Sequence, residues 1–297
     1  MIRLGTRGSA LALAQAQAVA GWLGDDVEVV PIETAGDRAV RPAAPGGDKA
    51  RFVKEIEEAL LRGEVDLAVH SAKDLPSELP DGLSIVGVPE RANPLDALCG
   101  AASLEVLDEG AVVGTGSLRR RSQLLALRPD LDVRPLRGNV DTRLGRLDGG
   151  ELDALVLALA GLERLGRAAE GTPLDSLVPA PGQGCLALEA REDDDAIADA
   201  AAAITDRSAL TRLTAERALV QGLDASCHTP LGAHATLDGE GLSLEAFVGL
   251  PDGSAWLRDS LDGEVGSPAD LGRTVAERMR AAGAEELLRQ AEVTAPR

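Results

Sequence analysis

Residues 111–127, AVVGTGSLRRRSQLLAL, decide the fold: an apolar run, a Gly-Thr-Gly-Ser turn, and a helical stretch from Leu118 to Leu127. The chain opens with the same grammar. Ile2 to Leu4 reads as a strand, Gly5 to Ser9 as a turn, and Ala10 to about Leu23 as a helix with Ser9 as N-cap and Gly24 as its stop. Gly150 to Val156 in turn mirrors Gly63 to Val69. The offsets of the two pairs differ, which excludes a solenoid. Val27 to Ile32 adds a β-branched run, Phe52, Ile56 and Leu60 have helical spacing, and Val65 to His70 is a further apolar run. Strands alternating with helices predict a largely parallel α/β sheet, here in two lobes of like topology.

Outside this repeat, Arg38 to Arg51 holds Pro42, Pro45, Gly46 and Gly47 without periodicity, and reads as a long loop of the kind that serves as a lid. Pro179 to Gly184 reads as a hinge or crossover, followed by an acidic helix to Thr205. From Asp206 a long helix to about Leu223, strand-like runs at Ala233–Thr236 and Leu242–Leu250, and a last helix from Pro268 to Gln290 predict a small α+β domain.

The 297 residues suffice for two or three domains. Apolar residues make up 44% but aromatics only 1%, so the cores are aliphatic and stacking platforms for single-stranded nucleic acid are nearly absent. A formal charge of −19 repels polyanions. Both features argue against nucleic acid as a partner. Cys99, Cys185 and Cys227 are widely spaced, which suggests neither a disulfide framework nor a zinc knuckle. With no leader-like start and no long apolar run, the reading is cytoplasmic, without a membrane or a metal.

Within this acidic chain, residues 117–146 carry eight arginines against three aspartates. Ser117, Arg119 and Arg120 stand where a helix begins just after a strand, a place whose free N–H groups already favour anions. Arg137, Asn139 and Arg143 form a second loop of this kind. Many arginines on one cleft suit a ligand with many carboxylates; Arg121, Arg128 and Arg146 read equally well as a solvated helix face. His70-Ser71-Ala72-Lys73-Asp74 ends a buried strand, where ligands sit in open α/β sheets. Asp74 beside Lys73 can stabilise a cation or move a proton, or it can simply cap a turn before Pro76. His70 reads as a core histidine. Cys99 and Cys185 lie in apolar runs and read as packing, whereas Cys227 lies in a polar turn beside His228, where its thiol can be reactive.

Taken together these motifs resemble the porphobilinogen deaminase family. The resemblance runs nearly end to end, through GTRGSALALAQ (5–15), FVKEIEEALL (52–61), AVHSAKDLP (68–76), GTGSLRRRSQL (114–124), LRGNVDTRL (136–144), LALAGLERLG (157–166), PAPGQG (179–184), LTAERA (213–218) and the Cys227 turn. It implies an α/β fold of two type II periplasmic-binding-protein-like lobes flanking a cleft, plus a C-terminal α+β domain. The lobes would comprise 1–90 with 181–203, and 94–178; the third domain would be 206–297. It also implies a transferase that condenses four porphobilinogen molecules head to tail, with loss of ammonia, on a covalent dipyrromethane cofactor.

By the same resemblance Cys227 holds that cofactor through a thioether, and Asp74 is the catalytic aspartate, which meets pyrrole N–H groups and stabilises the positive azafulvene left by ammonia. Arg7, Ser9, Ser71 and Lys73 would bind cofactor or substrate from the first lobe. Thr115, Ser117, Arg119, Arg120, Arg137, Asn139 and Arg143, with Arg164 and Gln183, would do so from later in the chain. Lys49 and Phe52 match the family's lid, but Pro45 stands where a lysine is frequent and Asp48 also departs from its pattern. The expected protein is a monomer acting on porphobilinogen. Two other readings share the two-lobed architecture: a non-catalytic binding protein for an anionic metabolite, and a regulatory ligand-binding domain. The first would want an export signal and the second a basic helix-turn-helix.

Overall fold

The computed structural model describes residues 1–34, 50–225 and 229–294. Two compact units make it up, one of Met1–Ala92 with Cys185–Thr211 and the other of Asn93–Gly184 with Arg212–Arg297.

In the first unit, strand β1 (Ile2–Arg7) leads through Ser9 into helix α1 (Ala10–Leu23), and β2 (Val27–Ile32) returns parallel to β1. The Ser9 side chain accepts the Ala12 N–H and Gly24 caps the far end, as the residue types predict. Helix α2 (Ala50–Leu61) precedes β3 (Leu67–Ser71), and β4 (Leu83–Gly87) follows. The sheet order is β2-β1-β3-β10-β4, where β10 (Leu186–Arg191) comes back from far along the chain and runs antiparallel to both neighbours. Helix α1 covers one face, with Ala16 and Val19 on Leu67, Val69, Leu186 and Leu188; α2 covers the other, with Ile56, Ala59 and Leu60 on Ala68.

The second unit repeats this plan. Strands β5 (Asp96–Cys99), β6 (Val112–Gly114), β7 (Asp132–Arg134), β8 (Ala154–Ala158) and β9 (Thr172–Leu174) take the order β7-β6-β8-β5-β9, with β5 antiparallel to its neighbours. Helices α3 (Leu118–Leu127), α4 (Val140–Asp148) and α5 (Leu159–Arg164) follow β6, β7 and β8. In both sheets three parallel strands lie in the order second-first-third, followed by an antiparallel strand from outside that trio, β10 in the first and β5 in the second, and by an edge strand, β4 or β9. The largely parallel sheets expected from the alternation are observed, with one antiparallel strand in each, β10 and β5, whose direction periodicity does not reveal.

After α6 (Asp195–Ala203) and the long α7 (Arg207–Gly222), β11 (Leu231–Asp238), β12 (Gly241–Gly249) and β13 (Trp256–Glu264) form an antiparallel meander. Strand β13 escapes a sequence reading because it is an edge strand rich in charge. The expected last helix is two, α8 (Pro268–Ala281) and α9 (Ala284–Thr294), broken at Gly283 with φ +101°. Their apolar faces close over the meander with α7, through Leu219, Leu244, Val275 and Met279. Trp22 on α1 and Trp256 on β13 are both half-exposed, and Trp256 stacks on the buried Phe247 with ring centroids 6.3 Å apart.

Gly272 lets α8 lie directly on α7: a Cβ there would come within 2.7 Å of Ala218 Cβ and 2.9 Å of the Leu219 nitrogen. Gly272→Ala should destabilise the protein by about 1–3 kcal/mol through overpacking, measured as a lower denaturant midpoint beside Gly266→Ala, where the same Cβ meets open space.

Candidate functional site

Parallel neighbours end at one edge of a sheet, so β1 and β3 deliver two groups of candidates together in the first unit. Arg7 closes β1 and Ser9 caps α1; Ser71 closes β3, and the 3₁₀ turn Ala72–Asp74 presents Lys73 and Asp74, both half-buried. Ser71 and His70 point to opposite faces of β3. The Ser71 hydroxyl accepts a 2.9 Å hydrogen bond from Gln15 of α1, and Ala72 N–H donates to the Cys185 carbonyl, so the turn is held from two sides.

The second unit does the same with β6 and β7. Thr115 Oγ accepts the Ser117 N–H at 3.2 Å, Ser117 caps α3 by accepting the Arg120 N–H, and Asn139 caps α4 by accepting both the N–H and the hydroxyl of Thr142. Arg137 is exposed, and Arg143 Nε donates to the Gly138 carbonyl at 2.8 Å. These are the two anion-favouring helix starts that the arginine pattern predicts.

Arg119 and Arg120 lie elsewhere than a ligand-facing surface. They are 3% and 6% exposed and close on the fully buried Asp96. Arg119 spans both Asp96 oxygens at 2.7 and 3.0 Å and donates to the Val178 carbonyl; Arg120 Nε reaches Asp96 at 2.9 Å and its Nη1 the Val156 carbonyl. Gln183 joins them, its amide donating to Asp96 and to the Pro94 carbonyl. Burial on its own would raise the Asp96 carboxyl, but the Arg119 and Arg120 charges, helped by hydrogen bonds from Arg119 and Gln183, hold it well below the usual carboxylate range. Two cations on one anion leave this interior one positive charge in excess.

The segment 178–184 threads through this network. Gln123 brackets the Val178 peptide, donating to its carbonyl and accepting its N–H; Ala233 N–H donates to the Pro179 carbonyl, Glu216 accepts the Gly182 N–H at 2.6 Å, and Arg164 donates to the Gly184 carbonyl at 2.7 Å. Glu216 also accepts the Ala235 N–H. The segment that reads as a hinge or crossover is thus a strap held by hydrogen bonds along its length. Asp96 and Glu216 are the residues that sequence reasoning missed; the signal for Asp96 was a charge heading an otherwise apolar strand, opposite an unexplained Arg pair.

Cys227 and Lys49 lie outside the described residues, as do Pro45, Asp48 and the Phe52 side chain. Cys99 and Cys185 are both buried, and burial pushes the Cys99 thiol up to about 11. Among the described residues no group of His, Cys, Asp and Glu is arranged to hold a metal, and no helix is long and apolar enough to cross a membrane. The donor set fits a polycarboxylate such as a dipyrromethane: two capped helix starts, the Arg137 and Arg143 guanidiniums, and an interior with a positive excess.

Comparison with known proteins agrees with that chemistry. The family model "Porphobilinogen deaminase, dipyromethane cofactor binding domain" matches residues 2–199, and "Porphobilinogen deaminase, C-terminal domain" matches residues 210–281. Relatives named porphobilinogen deaminase include that of Deinococcus radiodurans, 46% identical with 97% of each chain covered, and that of Thermus thermophilus, 46% identical with 98% of this chain and 99% of the relative covered. Among solved structures, a periplasmic substrate-binding protein of an ABC transporter from Coxiella burnetii covers 71% of this chain at 15% identity and a TM-score of 0.41.

Asp96→Asn would strip the counter-charge from two buried guanidiniums. The expected loss is about 3–5 kcal/mol of stability, read by urea titration at neutral pH; a loss under about 1 kcal/mol would show that the pair does not depend on this acid.

Proposed function

Because this chain belongs to the porphobilinogen deaminase family, and is therefore an enzyme with a dipyrromethane cofactor domain, we propose the role of each residue in a transferase that condenses four porphobilinogen molecules into hydroxymethylbilane. The observation that carries the assignment is the position of Asp74 on the short turn at the carboxyl end of β3, beside Lys73 and braced by Gln15 and Cys185 through its neighbours.

A carboxylate held there meets the pyrrole N–H groups of the incoming substrate. It balances the positive charge that develops on substrate carbon as ammonia leaves, and it assists the proton transfers of coupling and final deprotonation. Lys73, next to it on the same turn, supplies a neighbouring positive charge. Each pyrrole unit brings an acetate and a propionate, so charge-assisted donors are needed in number: Arg7, Ser9 and Ser71 from the first unit, and Thr115, Ser117, Arg137, Asn139 and Arg143 from the second. Arg119 and Arg120 supply the buried positive excess behind the α3 start, Gln183 bonds the Asp96 they share, and Arg164 fixes the strap. The cofactor, when bound, supplies the nucleophilic pyrrole carbon from which the product chain grows; Cys227 is its thioether anchor, and Lys49 and Phe52 belong to the lid. The three-domain division at 1–90 with 181–203, 94–178 and 206–297, a monomeric state and a cytoplasmic location complete the proposal.

Intact mass of the denatured protein tests the anchor. An excess of two porphobilinogens less two ammonias, absent from Cys227→Ser, is the expected result, and an unmodified protein after incubation with porphobilinogen would remove Cys227 from this role. Asp74→Asn should fold normally and lose about 10²–10⁴-fold in turnover; ammonia release at the parent rate would sink the assignment.

A further inference from the structure

The two faces of β3 differ in kind. Leu67, Val69 and Ser71 turn toward α1, whereas Ala68 and His70 turn toward α2, and so does Glu189 of the adjoining β10, which pairs opposite Ala68. Glu57 comes down on that face from α2. All three ionisable side chains are buried: His70 is 6% exposed, Glu189 0% and Glu57 8%. His70 Nε2 lies 3.0 Å from Glu189 Oε2, close but not directed as a hydrogen bond, and both Glu189 oxygens and Glu57 Oε1 are also without a hydrogen-bond partner. No other place among the described residues gathers so many unsatisfied buried polar atoms. Buried polar groups are ordinarily satisfied, so a concentration of orphans asks for an explanation.

Charge supplies it. Even opposite a protonated imidazole, two ionised carboxylates leave one negative charge in excess, and shielded from water that charge is cancelled when the cluster binds an extra proton. We propose that His70, Glu189 and Glu57 form a buried proton-sharing cluster that fastens α2 to β3 and β10 and so positions the Ser71–Asp74 turn at the end of the strand. They are positioning residues and do not touch substrate. Glu57 is the member that holds the extra proton: burial, then the Glu189 charge, push its carboxyl up to about 7, against a smaller opposing pull from His70. The charged groups on the other elements packed against α2 are engaged elsewhere. Arg3 of β1 pairs with Asp66, Arg191 of β10 with Asp194 and the Leu60 and Val65 carbonyls, Arg7, Lys73 and Asp74 have partners of their own, and β4 carries no charge. On α2 itself Lys54 faces Glu58 at 3.8 Å on the exposed side.

The sign follows from linkage. A carboxyl raised in the folded state binds more proton there than in the unfolded chain, so its stabilisation is present below the ordinary 4.5 and is lost as pH rises through about 7. The coupling to catalysis rests on the assignment of Asp74 above, and the cluster is tested without turnover. In protein labelled with ¹³C at glutamate carboxyls, one resonance should titrate about two pH units above the others and vanish in Glu57→Gln. From about pH 5 to pH 8 the parent should lose thermal stability relative to Glu57→Gln. Amide exchange at residues 71–75, compared with Glu57→Gln at each pH, should quicken in the parent above about pH 7. Glu189→Gln, which removes the charge that raises Glu57, should return the resonance toward the ordinary range. Absence of a high-titrating glutamate, or its persistence in Glu57→Gln, overturns the cluster; a titration that leaves exchange at 71–75 unchanged overturns the positioning. An active Asp74→Asn would defeat only the catalytic reading, since carboxyl titration and exchange are measured independently of it.

Discussion

The second unit is organised around one buried carboxylate. Asp96 heads a strand in the apolar interior, where an ion is tolerated only if it is paired and fully hydrogen-bonded. Arg119, Arg120 and Gln183 supply those bonds, and each must be brought there by a different element. Arg119 and Arg120 fall on the first turn of α3 because Ser117 starts that helix just after β6; Gln183 arrives on the strap 178–184. The strap is in turn held by Gln123, Arg164 and Glu216, and Glu216 carries the connection into the C-terminal meander through Ala235. Satisfying a single ion therefore dictates where a helix begins, how a crossover is routed and how two layers of the unit are joined.

The first unit solves a comparable problem with lighter means. Its Ser71–Asp74 turn is short and half-buried, and it is braced through neighbours: Ser71 by Gln15 on one face, Ala72 by the Cys185 carbonyl at the return strand, and His70 beside Glu189 on the other face. The turn is thereby held from three directions while the Lys73 and Asp74 side chains stay partly open. Preorganisation of this kind is what electrostatic stabilisation of a developing charge requires, because a group that must first reorient forfeits part of its effect.

Much of this was legible in the residues. The α1 and α3 helices start and stop where Ser9, Gly24 and Ser117 say they should, since capping is local chemistry. The lobe repeat was visible because strand, turn and cap recur as a unit. What was hidden is long-range. The antiparallel strands β5 and β10 give no sign of their direction. Edge strand β13 alternates with too much charge to stand out, and a run of helical spacing conceals the break at Gly283. At the site, Arg119 and Arg120 stand out in the sequence but their buried partner does not, because it lies more than twenty residues away in an unremarkable strand. The Pro-Ala-Pro-Gly-Gln-Gly segment has a hinge's composition, yet the bonds that make it a strap come from residues scattered over the whole unit.

The scarcity of aromatic residues has a practical side. With no tyrosine and only Trp22 and Trp256, the chain carries one indole in each unit: the first half-exposed on α1, the second half-exposed and stacked on Phe247 at the edge of the meander. Intrinsic fluorescence therefore divides cleanly between the two halves of the molecule. Replacing either indole with phenylalanine would leave an emission that reports on one unit alone, giving each half its own optical label without any added dye.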